Sequence, residues 1–367
     1  MGSPPAERQK KQSPDCLHPA RTTSREPRHG LVSDALPASR VDLTRVPPGE
    51  RLHDVFVVLD VEQRGGDTPH TILTFGNASG RLPSAPVWAS ERYRIADIIR
   101  GQGVRLAGVI STWRDRRQIA IESLEILSPA ATPWTELLPS VENPARYWSD
   151  IDKLRGEIQA PRLAEVLAIF FDDTKFRNRF QSCPGSLSGH HGKIGGLLQH
   201  TCEVAHFSRT LAGHFTRTDA ELLLAGALLH DIGKLEAYCW EGIFEMTVPG
   251  RVIGHVVLGT LMLDRRIHRA DAPPCTATEL VQLHHLILSH HGVHEHGAPV
   301  LPMTLEAELL HQADLASARG ASMEDALADP SLFMSEEEIS ARGVWQLDRR
   351  RVWRGRSDWG RVATDDG

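Results

Sequence analysis

Residues 221–234 read ELLLAGALLHDIGK, and the character of this stretch decides how the second half of the chain folds. From Leu222 to Leu229 it is apolar on every side, the mark of a helix buried all round. The run ends in His230-Asp231, followed by Gly233. An ionised carboxylate at the buried end of such a helix is costly unless it is paired or meets a cation. A satisfied pair at the helix end and a pair of metal ligands both answer that demand, and the dipeptide alone does not choose between them.

Working outward from that helix, the same chemistry recurs. His200 lies in GGLLQHT, His255 in VIGHV, His290-His291 in LILSHHG and Asp314 in LLHQADLASA, each in or at the end of an apolar helical segment. One such histidine is ordinarily a hydrogen-bonded core residue, but this many in one helical region point to a shared metal centre. Mixed imidazole and carboxylate ligands suit manganese, iron, cobalt, nickel or zinc better than magnesium, which prefers oxygen and water.

The helical character extends over 149–330, with patterns at Ile151 to Phe171, Gly196 to Phe215, Ala220 to Leu235, Gly254 to Ile267, Thr278 to His291 and Thr304 to Ala318. Ahead of it, 129–148 carries Pro133, Pro139 and Pro144 and reads as a linker. Residues 50–128 change period. Five β-type runs, His53 to Val61, Thr71 to Phe75, Arg81 to Trp88, Val104 to Thr112 and Gln118 to Leu127, are separated by turn signals. These are Gly65-Gly66-Asp67, Asn77 to Gly80 and the charged turn Arg114 to Arg117, with a helical stretch at Ser90 to Arg100. Three strands, a helix and two strands are the order of an OB-type barrel, a fold whose face and loops bind oligonucleotides. The expected class is therefore a multidomain α+β chain, with a five-stranded OB-type β-barrel ahead of an all-α domain. Residues 1–45, rich in Pro, Arg, Ser and Thr, predict a disordered arm, and 331–367 a tail with a short acidic helix and the Arg- and Trp-rich segment Val344 to Arg354.

Composition narrows the function classes. At 367 residues the chain exceeds one domain of roughly 100–200 residues. Its 41% hydrophobic and 24% charged residues are those of an ordinary globular protein, and no apolar run spans a bilayer. Met1 to Lys11 is polar, so no secretory signal is expected and the location predicted is cytoplasmic. Five cysteines without a Cys-x-x-Cys pair suggest neither a disulfide framework nor a thiolate zinc site. A net charge of −6 argues against bulk electrostatic binding of nucleic acid, while leaving room for a local basic patch.

The order His200, His230-Asp231, His255, His290, Asp314 resembles the ligand order of the HD-domain phosphohydrolases. More closely, the motifs GGLL-x-HT, LLLAGALLHDIGK, G-x-x-IGH, ILSHHG and T-x-EA-x-x-LH-x-x-D, with GRLPSAPVW ahead of them, resemble the YhaM-type 3′-to-5′ exoribonucleases, in which an OB-fold precedes the HD domain. This chain departs from that pattern at Gln199, where glutamate is usual, and at Cys183-Pro184-Gly185, where a Pro-Ala-Ala run is usual. The resemblance implies two divalent ions, manganese first, bridged by Asp231, with His200, His230 and Asp314 on one and His255 and His290 on the other. Two such ions roughly 3.5–4 Å apart can activate a hydroxide for attack on phosphorus.

That chemistry needs no ribose 2′-hydroxyl, so single-stranded RNA or DNA could be cut, from the 3′ end and with release of nucleoside 5′-monophosphates. Lys234 could meet a substrate phosphate or be a solvated lysine at a helix end. His291 competes with His290 as ligand, and His190, His191 and His311 are candidate ligands or supporting donors. His284, His285, His294 and His296 read as surface or loop residues. Strand binding falls to Arg64, Trp113, Arg114, Arg116 and Arg117, with Trp88 expected in the barrel core. Two other readings stay open: an HD phosphodiesterase or nucleotidase acting on a small nucleotide, with the OB domain as a partner-binding module, and a non-catalytic protein retaining a metal core. The sequence leaves a homo-oligomer open.

Overall fold

Four consecutive apolar residues, Val55 to Val58, are all buried, so the strand that contains them is covered on both faces and loses its alternation there. This strand, β1 (Arg51–Arg64), is followed by β2 (His70–Asn77), β3 (Gly80–Pro83), β4 (Val87–Trp88), a 3-10 turn (Ala89–Ile95), β5 (Gly103–Trp113) and β6 (Arg116–Ile126) in a computed structural model that describes residues 41–66, 68–334, 337–355, 357 and 359. The chain divides into two compact units after Thr132. In the first, the ladder order is β3-β2-β1-β5-β6, with β4 pairing off β2 and every pair antiparallel. Phe56, Val58, Leu73, Phe75, Val104, Leu106, Ile110 and Ile119 form its core.

The five-stranded closed barrel expected from sequence is not what the ladders form. Arg81 to Trp88, read as one strand, breaks into β3 and β4, because Pro83 and Pro86 offer no N–H to a ladder. Between β3 and β6 no ladder closes among the described residues; a single parallel bridge joins Ser84 to Ile119. The helix expected at Ser90 to Arg100 is the 3-10 turn. Between β5 and β6, Arg114 and Asp115 take φ of 48° and 60°, the left-handed pair of a two-residue type I′ turn. The arm expected over 1–45 lies, up to residue 40, outside the described residues, as does Asp67 of the first turn.

The second unit is helical: α1 (Trp134–Leu137), α2 (Pro144–Gly156), α3 (Pro161–Phe171), α4 (Thr174–Ser182), α5 (Gly196–Ala212), α6 (Ala220–Leu229), α7 (Lys234–Ala237), α8 (Val248–Val252), α9 (His255–His268), α10 (Ala277–Ser289) and α11 (Leu305–Ala328). A two-residue β-pair, Tyr238–Cys239 with Glu245–Met246, sits between α7 and α8. The stretch Ile151 to Phe171, read as one run, is split by Pro161, which starts a fresh helix at a position where its missing N–H costs nothing. α2 likewise begins at Pro144, inside the expected linker.

Every residue of α6 from Leu223 to Leu229 is buried, with α5 and α11 packed against the helix. The Asp219 carboxylate caps its N-terminus, accepting from the Leu222 N–H. At the other end Gly233 is pressed against α9: a Cβ there would lie 1.9 Å from the His255 carbonyl oxygen and 2.3 Å from the Gly259 nitrogen. Gly233→Ala should therefore force α9 away from the His230-Asp231 corner, destabilising the unit by about 1–3 kcal/mol. Thermal unfolding checks this, and an unchanged midpoint would contradict the close approach.

Candidate metal centre

Helix ends bring the polar residues together. α5 carries His200 in its first half, and α6 stops at Leu229 with His230 as its C-cap and Asp231 in the turn beyond. α9 opens on His255, α10 ends with His290 as its C-cap and His291 next, and α11 carries Asp314. Asp231 stands in the middle. Its Oδ2 is 3.2 Å from His230 Nε2 and 3.5 Å from His200 Nε2. Its Oδ1 is 3.4 Å from His255 Nε2 and 3.8 Å from His290 Nε2. Asp314 Oδ1 closes the first group, 3.0 Å from His200 Nε2 and 3.9 Å from His230 Nε2.

The hydrogen bonds on the far side of each ring fix which nitrogen is bare. His230 Nδ1 lies 2.7 Å from the Ala227 carbonyl and His290 Nδ1 2.7 Å from the Ile287 carbonyl; a carbonyl only accepts, so each Nδ1 donates. Ser317 Oγ gives its proton to Glu203 Oε2 at 2.7 Å, so it must accept from His200 Nδ1 at 3.0 Å. In their neutral forms these three imidazoles present unprotonated Nε2 atoms inward. His200 and His230 then face each other lone pair to lone pair at 3.2 Å. Asp231 Oδ1, His255 Nε2 and His291 Nδ1 are buried with no hydrogen-bond partner. Bare nitrogens and orphaned carboxylate oxygen converging in a buried place are the donor set a divalent cation satisfies, so the residues fit a metal.

Electrostatics agree with a site built for positive charge. Burial pushes His200, His290 and His255 down, the last to about 3, favouring the neutral form that a ligand needs. Burial also opposes charge on His230, but the Asp231 and Asp314 carboxylates outweigh it and raise that ring. Burial would raise Asp231, yet Lys234 and His230 hold it well below the usual carboxylate range, and Asp314 is held low beside His200. Lys234 is not the solvated lysine of one sequence reading. Its side chain is 11% exposed and its Nζ lies 2.6 Å from Asp231 Oδ2, which keeps it protonated despite burial.

A cavity of about 190 Å³ opens onto the centre, lined by His190, His191, His200, Asp231, Lys234, His291, His311 and Asp314. His296, read from sequence as a loop residue, lines it too. His190 Nδ1 donates to Ser322 Oγ, whose own proton goes to the Ala318 carbonyl. His311 Nδ1 donates to the His290 carbonyl, and its ring packs on Gly292. His290 and His291 both lie beside His255, with ligand nitrogens within 4.8 Å of one another, so either can complete that group.

Sequence reasoning missed Glu203 and Ser317. Glu203 accepts from His191 Nε2 at 3.0 Å, from Ser317 Oγ and from Gln199 Nε2 at 2.8 Å, tying the cavity wall to the back of His200. Burial raises its carboxyl, but these donors bring it down to about 2. Because the folded pKa is lowered, its contribution to stability is complete above the ordinary Glu value of about 4.3 and is lost as the pH falls toward 2. Glu203→Gln should remove that part of the acid sensitivity and weaken metal binding about 10–100-fold through His200. Calorimetric titration with Mn²⁺ checks it; wild-type affinity would mean the network does not orient the ligand.

The strand-binding candidates do not form one patch. Trp113 is 64% exposed beside the β5–β6 turn, with the Arg114 guanidinium 5.6 Å from its ring centroid, and Arg116 is exposed across from it. Arg117 is occupied, donating to the Val46 carbonyl at 2.7 Å and the Thr44 carbonyl at 2.8 Å. Arg64 lies at the far end of β1, paired with Glu62 at 2.8 Å and opposite His70. Trp88, expected in the core, is 45% exposed, because β4 is only two residues long and turns that side chain outward against His70.

Helices that place histidines and aspartates on one buried centre in this order define an HD domain, and residues 197–319 match the family model described as "HD domain". The chain therefore carries an HD domain and is a hydrolase. It is similar to the 3′-5′ exoribonuclease YhaM of Listeria monocytogenes serotype 4b, 27% identical over 307 residues that cover 82% of this chain and 94% of the relative. With the protein of the same name from Listeria innocua serovar 6a it is 28% identical over 289 residues, 78% of this chain and 88% of that one. Both comparisons support the resemblance to the YhaM-type HD exoribonucleases. A solved replication protein A heterotrimer bound to ssDNA overlaps 26% of this chain and 70% of its own at 18% identity and a TM-score of 0.18, too slight a likeness to argue from.

Proposed function

We propose that the chain is a metal-dependent 3′-to-5′ exonuclease that trims single-stranded RNA, and DNA where it meets it, to nucleoside 5′-monophosphates. The observation that carries this reading is Asp231, whose Oδ2 faces His200 and His230 while its Oδ1 faces His255 and His290. In this reading His200, His230, Asp314 and Asp231 would hold one ion, and Asp231 with His255 and His290 or His291 would hold a second. Divalent ions there, manganese first among them, would neutralise phosphate charge and acidify water next to the scissile bond. The protein's own residues do the rest. Lys234 keeps Asp231 ionised and adds positive charge to the cavity that a phosphate enters, while His190, His191 and His311 line its path.

The β-rich unit is read as the module that grips the strand upstream, with Trp113 and Arg114 as a stacking pair and Arg116 beside them. Arg64 and Arg117, engaged with Glu62 and the 44–46 carbonyls, are secondary. No described helix is long and apolar enough to cross a membrane, and an RNA-trimming enzyme is read as cytoplasmic.

Polarity comes from threading, since a metal centre has none along a strand. A 5′-labelled single strand should give a descending ladder, a 3′-phosphate should block cutting and a 5′ block should not. Immediate release of labelled mononucleotide, or cuts within a circular strand, would overturn the exonuclease reading.

A further inference from the structure

The segment Ser340 to Arg354 differs from the rest of the chain in charge. It carries Arg342, Arg349, Arg350, Arg351 and Arg354 against one acidic residue, Asp348, in a chain whose net charge is −6. It is also firmly built. Val344, Leu347 and Val352 are buried with Ala326 of α11 and with Leu332 and Phe333. Bridges from Ile339 to Trp353 and from Val344 to Arg350 close a narrow loop. With those anchors inside, Trp345 is left 72% exposed, and the Arg349 guanidinium lies 5.0 Å from its ring centroid.

This loop lies beside the metal-centre cavity. Arg319, next to Ala318 of the cavity wall, pairs with Asp348 at 2.9 Å. Gly189, next to His190, packs so closely on Gln346 that a Cβ would lie 2.9 Å from the Gln346 side-chain nitrogen. Three features therefore coincide: an exposed indole with a stacked guanidinium, a local excess of arginine, and a position at the edge of the cavity.

We infer that Trp345, with Arg349, Arg350 and Arg351, is a landing for single-stranded nucleic acid beside the metal centre, where a base stacks on the indole and arginines meet the adjoining phosphates. The inference rests on the nuclease reading above. Stacking on an aromatic ring tolerates any base, and charge complementarity selects a polyanionic strand over a neutral peptide. The strand would thus have a holding point within the helical unit itself, separate from the Trp113 turn.

The test is fluorescence anisotropy of a labelled fifteen-residue oligouridylate with the full-length chain in excess chelator, so that binding is read without cleavage. Trp345→Ala combined with Arg349→Gln should weaken binding about tenfold or more, and the salt dependence should flatten by about 0.7 for each phosphate no longer neutralised. Trp345→Phe should retain most of the affinity. Circular dichroism and sedimentation monitor fold and assembly. Equal binding by the wild type and the double variant would overturn this inference alone, as would a change in oligomeric state with strand affinity intact. A wild-type chain that binds no strand would overturn the nuclease reading and this inference with it.

Discussion

Asp231→Asn should lower hydrolysis of single strands and of a small phosphodiester together, by about a thousandfold or more. The carboxylate is 2% exposed, with Oδ2 facing the His200 and His230 imidazoles and Oδ1 those of His255 and His290. An amide of the same shape can serve one side with its oxygen, but it turns an N–H toward the other group and leaves the Lys234 ammonium without its anion. A divalent ion contributes several kcal/mol to the transition state, and each 1.36 kcal/mol is about tenfold in rate, so losing the centre costs roughly three powers of ten. Rates on both substrates, with far-UV circular dichroism as the control for folding, check this. A folded variant with wild-type turnover would sink the assignment of Asp231 as the shared ligand.

Removing the metal should have a comparably large effect on stability. Side chains from α5, the α6 corner, α9, α10 and α11 converge within the buried centre, so an ion there would join helices that otherwise meet as facing lone pairs. An ion at a thousandfold its Kd adds about 4 kcal/mol to the folded state. For a unit of this size each kcal/mol moves the midpoint by roughly 2–4 °C, so Mn²⁺ should raise it by about 10 °C and a chelator should reverse the rise. Differential scanning calorimetry at several metal concentrations measures this. A midpoint indifferent to metal would mean that the cluster is held by hydrogen bonds alone.

How far these features were legible in the sequence depended on how local their causes are. His230-Asp231 at the end of a helix apolar all round had few physical explanations, and the repeat of that situation at His200, His255, His290 and Asp314 left fewer. Glu203 and Ser317 gave no such signal, because polar residues on helices are common. Only their spacing, three residues beyond His200 and three beyond Asp314, would have placed them on the ligands' helix faces. Lys234 was visible, but its pairing with Asp231 depends on how the corner after α6 folds back. In the β-rich unit the runs were readable while their closure was not, since whether β3 meets β6 is a property of the whole sheet. Trp88 and Arg117 illustrate the same limit. A tryptophan at a strand end and an arginine in a turn read the same whether they face solvent, core or a neighbouring carbonyl.

The proposed chemistry requires one carboxylate, Asp231, to be shared by two cations. The most direct test is an anomalous-difference map from a crystal of the full chain grown with Mn²⁺. Two peaks are predicted, one among Asp231, His200, His230 and Asp314 and the other among Asp231, His255 and the His290-His291 pair. A single peak on one side of Asp231, or peaks that leave its carboxylate unliganded, would contradict the account.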